Sequence, residues 1–216
     1  MRLYDSFGMN PRMVRMFLIE KGIKIDRVPV DLLGGENRRP PYTDKNPTGQ
    51  TPLLELDDGT NLAETAAICE YLEERFKDKP SLIGSAPEER AVTRMWWRRV
   101  EINYCVPAVH AFYYNEAIDL FRDRVHVIPE ASEGLKTKAA KALQWLDGQL
   151  DGKQWICGNR FTMADICLYT YVDLLRNGGQ PIPAQAPKVA AWFERVAARP
   201  SAAASLFPEQ PMGLRG

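Results

Sequence analysis

The sequence predicts two domains: a small α/β domain with a mixed sheet over residues 1–78, and an all-helical domain over residues 87–216. Three observations predict this division. Short apolar runs and helical patterns alternate through the first range. Between the two ranges the composition changes to Lys, Asp, Pro, Ser and Gly, which is typical of a linker. Beyond the linker the sequence shows helical patterns and no convincing strand.

The elements of the first domain are predicted from its apolar spacing and its turn residues. The expected order is a strand over 1–4, a helix ending at Gly22, a strand over 28–30, a hairpin over 51–62 and a helix over 64–76. Residues 34–49 are rich in Gly, Pro, Asn and Arg, so an irregular loop or a broken helix is expected there. This βαβ-ββα order is too short for a full doubly wound fold.

The second domain is predicted to be built from long helices. Their patterns cover residues 87–118, 131–150, 164–177 and 187–198. Ser85 and Glu88 have the spacing of a capping box that would open the first of these helices. The charged segment 119–130 is expected to be a surface connection.

The composition restricts the class of protein. The 216 residues carry a formal net charge of zero, with 45% hydrophobic and 26% charged residues. This is an ordinary globular composition, so neither nucleic acid nor a membrane is expected as a partner. No apolar run reaches the roughly 20 residues of a membrane span, and the N-terminus lacks the apolar core of a signal peptide. The four cysteines form no C-x-x-C pair, so free thiols and a cytoplasmic location are expected.

Familiar catalytic motifs are almost absent. The two histidines, His110 and His126, have no partner at metal-ligand spacing, so no metal is expected. No phosphate-binding loop or dinucleotide fingerprint is present, and no motif supports a Ser–His–Asp site. The informative segment is 46–72.

Within this segment, Thr51-Pro52 opens a predicted strand, where proline cannot donate to the sheet ladder. A cis peptide bond there would turn the backbone N–H and C=O of Thr51 outward, where they could pair with a peptide-like ligand. The alternative is an ordinary trans proline at the start of an edge strand, which is the commoner form.

The stretch Asn61–Ala66 marks the start of a predicted helix, whose unpaired N–H groups and dipole attract a carboxylate. Thr65 adds a hydroxyl donor, and Glu64 would attract an ammonium group. Together these two side chains could hold the amino-acid end of a zwitterion. The alternative is simple N-terminal capping of the helix.

Two separated motifs carry the most specific information. The first reads Asn46-Pro47-Thr48-Gly49-Gln50-Thr51-Pro52-Leu53-Leu54, then Asp58-Gly59, then Leu62-x-Glu64-Thr65-x-x-Ile68-x-x-Tyr71-Leu72, and the second reads Trp155-Ile156-Cys157-Gly158-Asn159-Arg160-Phe161-Thr162-Met163-Ala164-Asp165-Ile166. They resemble the signatures of the glutathione transferases, in which the first motif is close to N-P-x-G-x-V-P-x-L, D-G, L-x-E-S-x-A-I-x-x-Y-L. This resemblance covers nearly the whole chain. It implies the glutathione transferase fold, with a thioredoxin-like N-terminal domain and an all-α C-terminal domain, and glutathione as the co-substrate without a metal.

The resemblance also implies residues that bind glutathione. Thr51 matches the position whose backbone pairs with the cysteinyl part, and Glu64 and Thr65 match the pair that binds the γ-glutamyl end. Gln50 stands where a Lys or Gln approaches the glycyl end, and Arg38 is a further candidate for that carboxylate. In the second motif, Thr162 and Asp165 match a helix cap and are interpreted as structural.

The family also needs a donor near the glutathione sulfur, because a hydrogen bond to the thiolate lowers the pKa of the thiol. The usual Ser position falls on Gly8 here, and no cysteine is nearby. Asn10 is the best candidate, since bacterial members resembling the nu class have an Asn at this place. Ser6 and Tyr4 are alternatives, and Asn10 could instead be only the N-cap of the first helix.

A second substrate would sit between the domains, against the first long helix of the helical domain. Trp97 and Tyr104 belong to an aromatic stripe on that helix and are candidates for this pocket. The alternative is that the stripe serves core or dimer packing.

The resemblance therefore implies a detoxifying glutathione transferase that promotes thiolate attack on a small electrophile or glutathione-dependent disulfide reduction. The resemblance also implies a homodimer. One alternative is a non-catalytic protein of the same fold that binds a protein partner. A glutathione-dependent isomerase or dehalogenase is another, but the Ser-Ser-Cys stretch of the zeta-type isomerases is absent.

Overall fold

The computed structural model describes residues 1–208, and the chain divides into two compact units. The first unit comprises Met1–Leu82 together with the described residues from Pro200 onward, and the second comprises Ile83–Arg199. The division falls between Leu82 and Ile83, while the predicted domains end at residue 78 and begin at residue 87. The end of the predicted helical domain, residues 209–216, lies outside the described residues.

The first unit is built on a mixed sheet with the strand order β2-β1-β3-β4. The strands are β1 (Arg2–Asp5), β2 (Asp26–Pro29), β3 (Leu53–Glu55) and β4 (Asn61–Leu62). β1 pairs with β2 in parallel, and β3 runs antiparallel to both β1 and β4. The structure therefore confirms the predicted mixed sheet and its βαβ-ββα order.

The helices of the first unit are α1 (Met9–Lys21), α2 (Tyr42–Lys45) and α3 (Thr65–Arg75), with a 3-10 turn at Glu36–Arg38. α1 ends as predicted at Gly22, which adopts the left-handed conformation with φ 64° and satisfies the last carbonyl groups of the helix. The predicted irregular loop over 34–49 contains the 3-10 turn and the short α2. Fully buried apolar side chains fill the space between sheet and helices, namely Leu3, Phe17, Leu53, Leu54, Ile68 and Leu72.

The second unit is helical, as predicted. Its helices are α4 (Pro87–Val100), α5 (Val106–Tyr114), α6 (Ile118–Phe121), α7 (Ser132–Gln149), α8 (Met163–Asn177) and α9 (Pro187–Ala197). A π-helical turn at Glu101–Cys105 joins α4 to α5, so the helical pattern predicted from residue 87 is continuous up to Tyr114. The predicted connection 119–130 overlaps α6 and the start of a 3-10 turn at Pro129–Ala131.

The predicted capping box at the start of α4 is wrong by one position. Glu89, and not Glu88, turns back to the helix start, where its carboxylate accepts the N–H groups of Ser85 at 2.8 Å and Ala86 at 3.5 Å. Pro87 occupies the first helical position, which suits its fixed φ. Ala86 is therefore the N-cap residue, and it has no side-chain oxygen to complete a reciprocal box.

The last described helix, α10 (Pro200–Ala204), belongs to the first unit and packs on α1. Two buried arginines of α1 make this contact. Arg12 donates to the carbonyl of Ala202 at 3.1 Å, and Nε of Arg15 donates to the carbonyl of Ser205 at 2.7 Å. Because these bonds satisfy carbonyls at the end of a short helix, α10 is held against the α/β unit and not the helical one. Among residues 1–208, no helix is long and apolar enough to cross a membrane.

Glu55 at the end of β3 joins three donors of the first unit. Its carboxylate accepts the Tyr4 hydroxyl at 3.0 Å and the Lys45 ammonium at 2.5 Å, and it also pairs with Arg2. Hydrogen bonds from Lys45, Arg2 and Tyr4 lower the pKa of Glu55 from 4.5 to about 2. The ionised carboxylate thus ties β1 to β3 and to α2.

Replacing Glu55 with glutamine should destabilise the fold at about pH 7, because the amide loses the charge-assisted bonds. A folded-state pKa below the unfolded one stabilises the native state above the unfolded pKa, and this stabilisation is lost as the pH falls towards the folded value. The difference between wild type and Glu55→Gln should therefore narrow as the pH falls from about 4.5 towards about 2. Urea unfolding, followed by circular dichroism at several pH values, measures this difference in the free energy of unfolding. A difference that is constant with pH would contradict this role of Glu55.

Candidate active site

A shallow, open cleft lies at one edge of the first unit. It brings together residues from the start of α1, the loop before β3 and the start of α3. Its walls are formed by Asn10, Asn46, Gln50, Thr51, Pro52, Glu64 and Thr65. Five of these, Asn10, Gln50, Thr51, Glu64 and Thr65, are residues that the sequence predicts to contact a ligand.

The Thr51–Pro52 peptide bond is cis, so the trans alternative is wrong. The loop that leads to it is fixed by side chains of the first unit. The carbonyl of Gln50 accepts the Tyr42 hydroxyl at 2.6 Å and the Asn46 side-chain amide at 2.8 Å. Because two donors hold this carbonyl, the backbone just before Thr51 has a defined position beside the cleft.

Gly49 is required in the same loop. It has φ +62°, and a Cβ at this position would lie 2.7 Å from the carbonyl oxygen of Asn37. Asn37 is buried, and its side-chain amide donates to the carbonyl of Gly49 at 2.5 Å. Only glycine combines the left-handed conformation with this close approach. Gly49 belongs to the first of the two sequence motifs. Asn37 belongs to neither motif, so its contact with Gly49 could not be predicted from the sequence.

Glu64 has an unusual backbone conformation at the start of α3, with φ 64° and ψ 123°. A non-glycine residue with positive φ costs on the order of 1–3 kcal/mol and is typical of functional sites. Its side chain is exposed and makes no capping bond to the helix, and Thr65 is only partly buried. Simple capping therefore does not describe this corner. The Glu64 carboxylate is therefore exposed beside the first turn of α3.

Asn10 is the second residue of α1, because the helix begins at Met9 and Gly8 is its N-cap. The interpretation of Asn10 as only an N-cap is therefore wrong. Its side chain lines the cleft at a helix N-terminus, where the dipole favours an anion. The two alternative donors are engaged elsewhere: the Tyr4 hydroxyl bonds to Glu55 at 3.0 Å and the Ser6 hydroxyl lies 2.6 Å from that of Thr51.

Arg38 is exposed in the 3-10 turn and is not part of the cleft wall. Its side chain lies beside the loop before Gln50, since a Cβ at Gly49 would be 3.3 Å from Cδ of Arg38 and 3.7 Å from Nη1. A long exposed side chain at this place could reach towards the Gln50 end of the cleft.

Comparisons with known proteins identify the family. The model of the glutathione S-transferase N-terminal domain matches residues 9–75, and that of the C-terminal domain matches residues 106–200. Glutathione S-transferase 2 of Saccharomyces cerevisiae is 31% identical over 206 residues, which cover 93% of this chain and 87% of the yeast protein. The chain belongs to the glutathione S-transferase family.

Other relatives agree with this assignment. Glutathione S-transferase GstA of Escherichia coli O157:H7 is 31% identical over 219 residues, covering 97% of this chain and 98% of the other. The crystal structure of a glutathione S-transferase domain-containing protein of Marinobacter aquaeolei is 39% identical, with a TM-score of 0.86 over 94% of this chain and 100% of the other. The two predicted domains thus form the glutathione transferase fold, and the chain is a transferase that uses glutathione as its co-substrate. Nothing in these relatives favours a non-catalytic protein.

In the helical unit of the transferase, both aromatic candidates are buried, Trp97 with 6% and Tyr104 with 3% of its surface exposed. Tyr104 lies in the π-helical turn and lines a cavity of about 220 Å³ within this unit, together with Lys136, Leu143 and Gln180. Burial raises the pKa of the Tyr104 hydroxyl. Trp97 is not part of the wall of that cavity.

The transferase also contains a buried ion pair beside its cleft that the sequence analysis missed. Nη1 of Arg15 lies 2.5 Å from Oδ1 of Asp5, and each side chain has only 1% of its surface exposed. Burial raises the pKa of Asp5 and lowers that of Arg15, and the attraction between the two charges opposes both effects. Such a pair contributes to a defined geometry more than to net stability. Among residues 1–208, no three or more His, Cys, Asp or Glu side chains cluster so that they could hold a metal ion.

Proposed function

We propose that the cleft of the α/β domain binds glutathione and that Asn10 stabilises its thiolate for transfer to a small electrophile. The observation that carries this proposal is the convergence of Asn10, Thr51, Glu64 and Thr65 on one open cleft, next to a cis peptide bond. The ligand is a small peptide with two carboxylates and one ammonium group, and the cleft presents complementary groups for each part.

Each part of glutathione is assigned to particular residues of the first unit. The backbone N–H and C=O of Thr51 pair with the cysteinyl part, as an added strand would. Glu64 receives the γ-glutamyl ammonium, while Thr65 and the first N–H groups of α3 receive the γ-glutamyl carboxylate. Gln50 and Arg38 contact the glycyl carboxylate, since both belong to the loop region at that end.

The proposed chemistry starts from the glutathione thiolate at the N-terminus of α1. The Asn10 amide and the helix dipole favour the charged sulfur, so that a larger fraction of thiol is ionised at neutral pH. The sulfur electron pair then forms a bond to the electrophilic carbon, and the leaving group departs with its bonding pair. With a disulfide, a new S–S bond forms and the displaced sulfur leaves as a thiolate.

Replacing Asn10 with alanine should lower kcat/KM about 10- to 100-fold, because a hydrogen bond to a charged group contributes about 1.5–3 kcal/mol. The pH dependence of the rate should also shift to higher pH, since the thiolate loses a donor and the pKa of the bound thiol rises. Steady-state rates with chlorodinitrobenzene and with hydroxyethyl disulfide measure both effects and show which class of acceptor the transferase uses. Asn61→Ala, at an exposed asparagine of β4, is the matched control. Full turnover of Asn10→Ala with both acceptors would assign sulfur activation to the backbone N–H groups of α1 alone.

For the second substrate, we propose Trp97 and Tyr104 as parts of the pocket wall. Their support is their place in one aromatic helical segment, α4 and the π-helical turn that follows it. As buried aromatic side chains they would act through shape and apolar contact and not through charge. Substrate-dependent changes in KM for Tyr104→Leu, which removes the aromatic ring, would support this role.

The proposed setting is a cytoplasmic homodimer with a role in detoxification. The four cysteines are free thiols, which fits a reducing compartment. Exposed apolar side chains along α4, the π-helical turn and α5 favour an interface with a second copy; they are Val92, Met95, Ile102 and Val106. Sedimentation equilibrium at micromolar concentration measures the oligomeric state.

A further inference from the structure

Thr51 differs from the family pattern, which has Val before the cis-proline. Here the side chain has a hydroxyl group, and its Oγ1 lies 2.6 Å from Oγ of Ser6. Ser6 has no exposed surface, so its hydroxyl needs a partner. The same hydroxyl also donates to the carbonyl of Phe7 at 3.2 Å. The hydroxyl pair joins two segments 45 residues apart in sequence: the connection from β1 to α1, and the loop that ends at Thr51.

Ser6 is itself held firmly by the buried ion pair. Its N–H donates to Oδ1 of Asp5 at 2.9 Å, and its carbonyl accepts Nη1 of Arg15 at 2.8 Å. Arg15 is fixed in turn by Asp5 and by the carbonyl of Ser205. The Ser6 hydroxyl is therefore a rigid anchor, since its backbone is bonded on both sides to groups that are almost fully buried.

We propose that Ser6 is a positioning residue for the transferase: its hydroxyl holds Thr51 so that the backbone of residue 51 faces the cleft in the orientation that pairs with the cysteinyl part of glutathione. The cleft wall includes both Thr51 and Asn10, which follows Ser6 by four residues at the start of α1. The hydroxyl pair of Ser6 and Thr51 therefore sets the distance between the sulfur donor and the backbone that holds the ligand. This inference rests on glutathione binding in the cleft.

Removing either hydroxyl should weaken glutathione binding and leave the chemical step nearly intact. For Ser6→Ala and for Thr51→Val we expect KM for glutathione to rise about three- to tenfold, with kcat changed by less than about twofold, because both changes remove the hydrogen bond between the two hydroxyls. The double variant should bind glutathione no more weakly than Ser6→Ala, which already removes the bond to Thr51 along with the one to Phe7. Thr51→Ser keeps the hydroxyl and should recover most of the affinity that Thr51→Val loses.

Two measurements separate this role from a structural one. Calorimetric titration with S-methylglutathione, which has no thiol, should show the same loss of affinity, because the bond acts on the backbone and not on the sulfur. Ser132→Ala removes another buried hydroxyl, which donates to the carbonyl of Ala111 at 3.1 Å in the helical unit, and serves as the control for a general loss of stability.

Glutathione binding by wild type and by the variants tests the proposed function and the positioning role of Ser6 separately. If wild type does not bind glutathione, the proposed function fails. If wild type binds and Ser6→Ala and Thr51→Val bind equally well, or if the effects of the two changes add, the positioning role is refuted while the proposed function stands. Should Ser6→Ala fail to fold, Thr51→Val and Thr51→Ser decide the question alone, because Thr51 is partly exposed.

Discussion

Replacing Asp165 with alanine should lower the free energy of unfolding of the helical unit by about 4 kcal/mol. Asp165 has no exposed surface and stands in the first turn of α8. Its carboxylate accepts the N–H groups of Ile156 at 3.0 Å and Thr162 at 2.9 Å, the indole N–H of Trp192 at 2.9 Å and the Thr162 hydroxyl at 3.1 Å. Alanine would leave these buried donors without an acceptor, at a cost of about 1–3 kcal/mol each before relaxation, and would remove a helix cap that contributes about 1 kcal/mol.

The measurement can be confined to the helical unit. All five tryptophans of the chain lie between residues 96 and 192, so tryptophan fluorescence during urea unfolding reports on this unit. Asp147→Ala is a matched control. Asp147 caps α9 through bonds to the N–H groups of Lys188 at 2.6 Å and Val189 at 3.0 Å, at a site that water can reach. We expect Asp147→Ala to lower the free energy of unfolding by about 1 kcal/mol. Equal losses in the two variants would mean that the burial of Asp165 does not matter.

Replacing Glu64 with glutamine should weaken glutathione binding about 10- to 100-fold, because a hydrogen bond to an ionised carboxylate contributes about 1.5–3 kcal/mol. Glutamine keeps the size of the side chain and the same Cβ, so the strained backbone with φ 64° should remain and stability should hardly change. Calorimetric titration with glutathione gives the affinity, and the thermal midpoint Tm gives the stability.

A glutathione analogue without the γ-glutamyl amino group makes this test specific to the proposed contact. Wild type should bind the analogue less tightly than glutathione, whereas Glu64→Gln should bind both with similar affinity. Glu74→Gln is the control, because Glu74 is an exposed residue of the same helix and pairs with Lys77 at 3.2 Å. If Glu64→Gln kept its preference for glutathione over the analogue, Glu64 would not be the partner of the ammonium group.

The candidate site was predictable from the sequence to the extent that its residues lie in short motifs. Gln50, Thr51, Glu64 and Thr65 fall within one segment of the chain, and Asn10 follows from the start of the first helix. Their presence in one cleft is a property of the fold, because the loop before β3 and the start of α3 meet the start of α1 only when the sheet forms.

The supporting contacts were not predictable. Asp5, Ser6 and Arg15 carry no motif, and the bond from Ser6 to Thr51 spans 45 residues. Whether a buried hydroxyl or charge has a partner depends on which segments become neighbours, and spacing along the chain does not contain this information. The shifted cap of α4 has a different reason: Pro87 takes the first helical position, so Ala86 is the N-cap and Glu89, not Glu88, is the third residue of the helix.

The sequence by itself determined the class of each domain, the order of the strands and helices, and the family, because apolar periodicity, turn residues and short motifs are local properties. Only the tertiary structure decided that Thr51–Pro52 is cis, that Glu64 is exposed with positive φ, and that α10 joins the α/β unit. These features depend on contacts between segments that are distant in the chain. Such contacts are selected by burial and by the need of each buried polar group for a partner, and both arise only when the whole domain is folded.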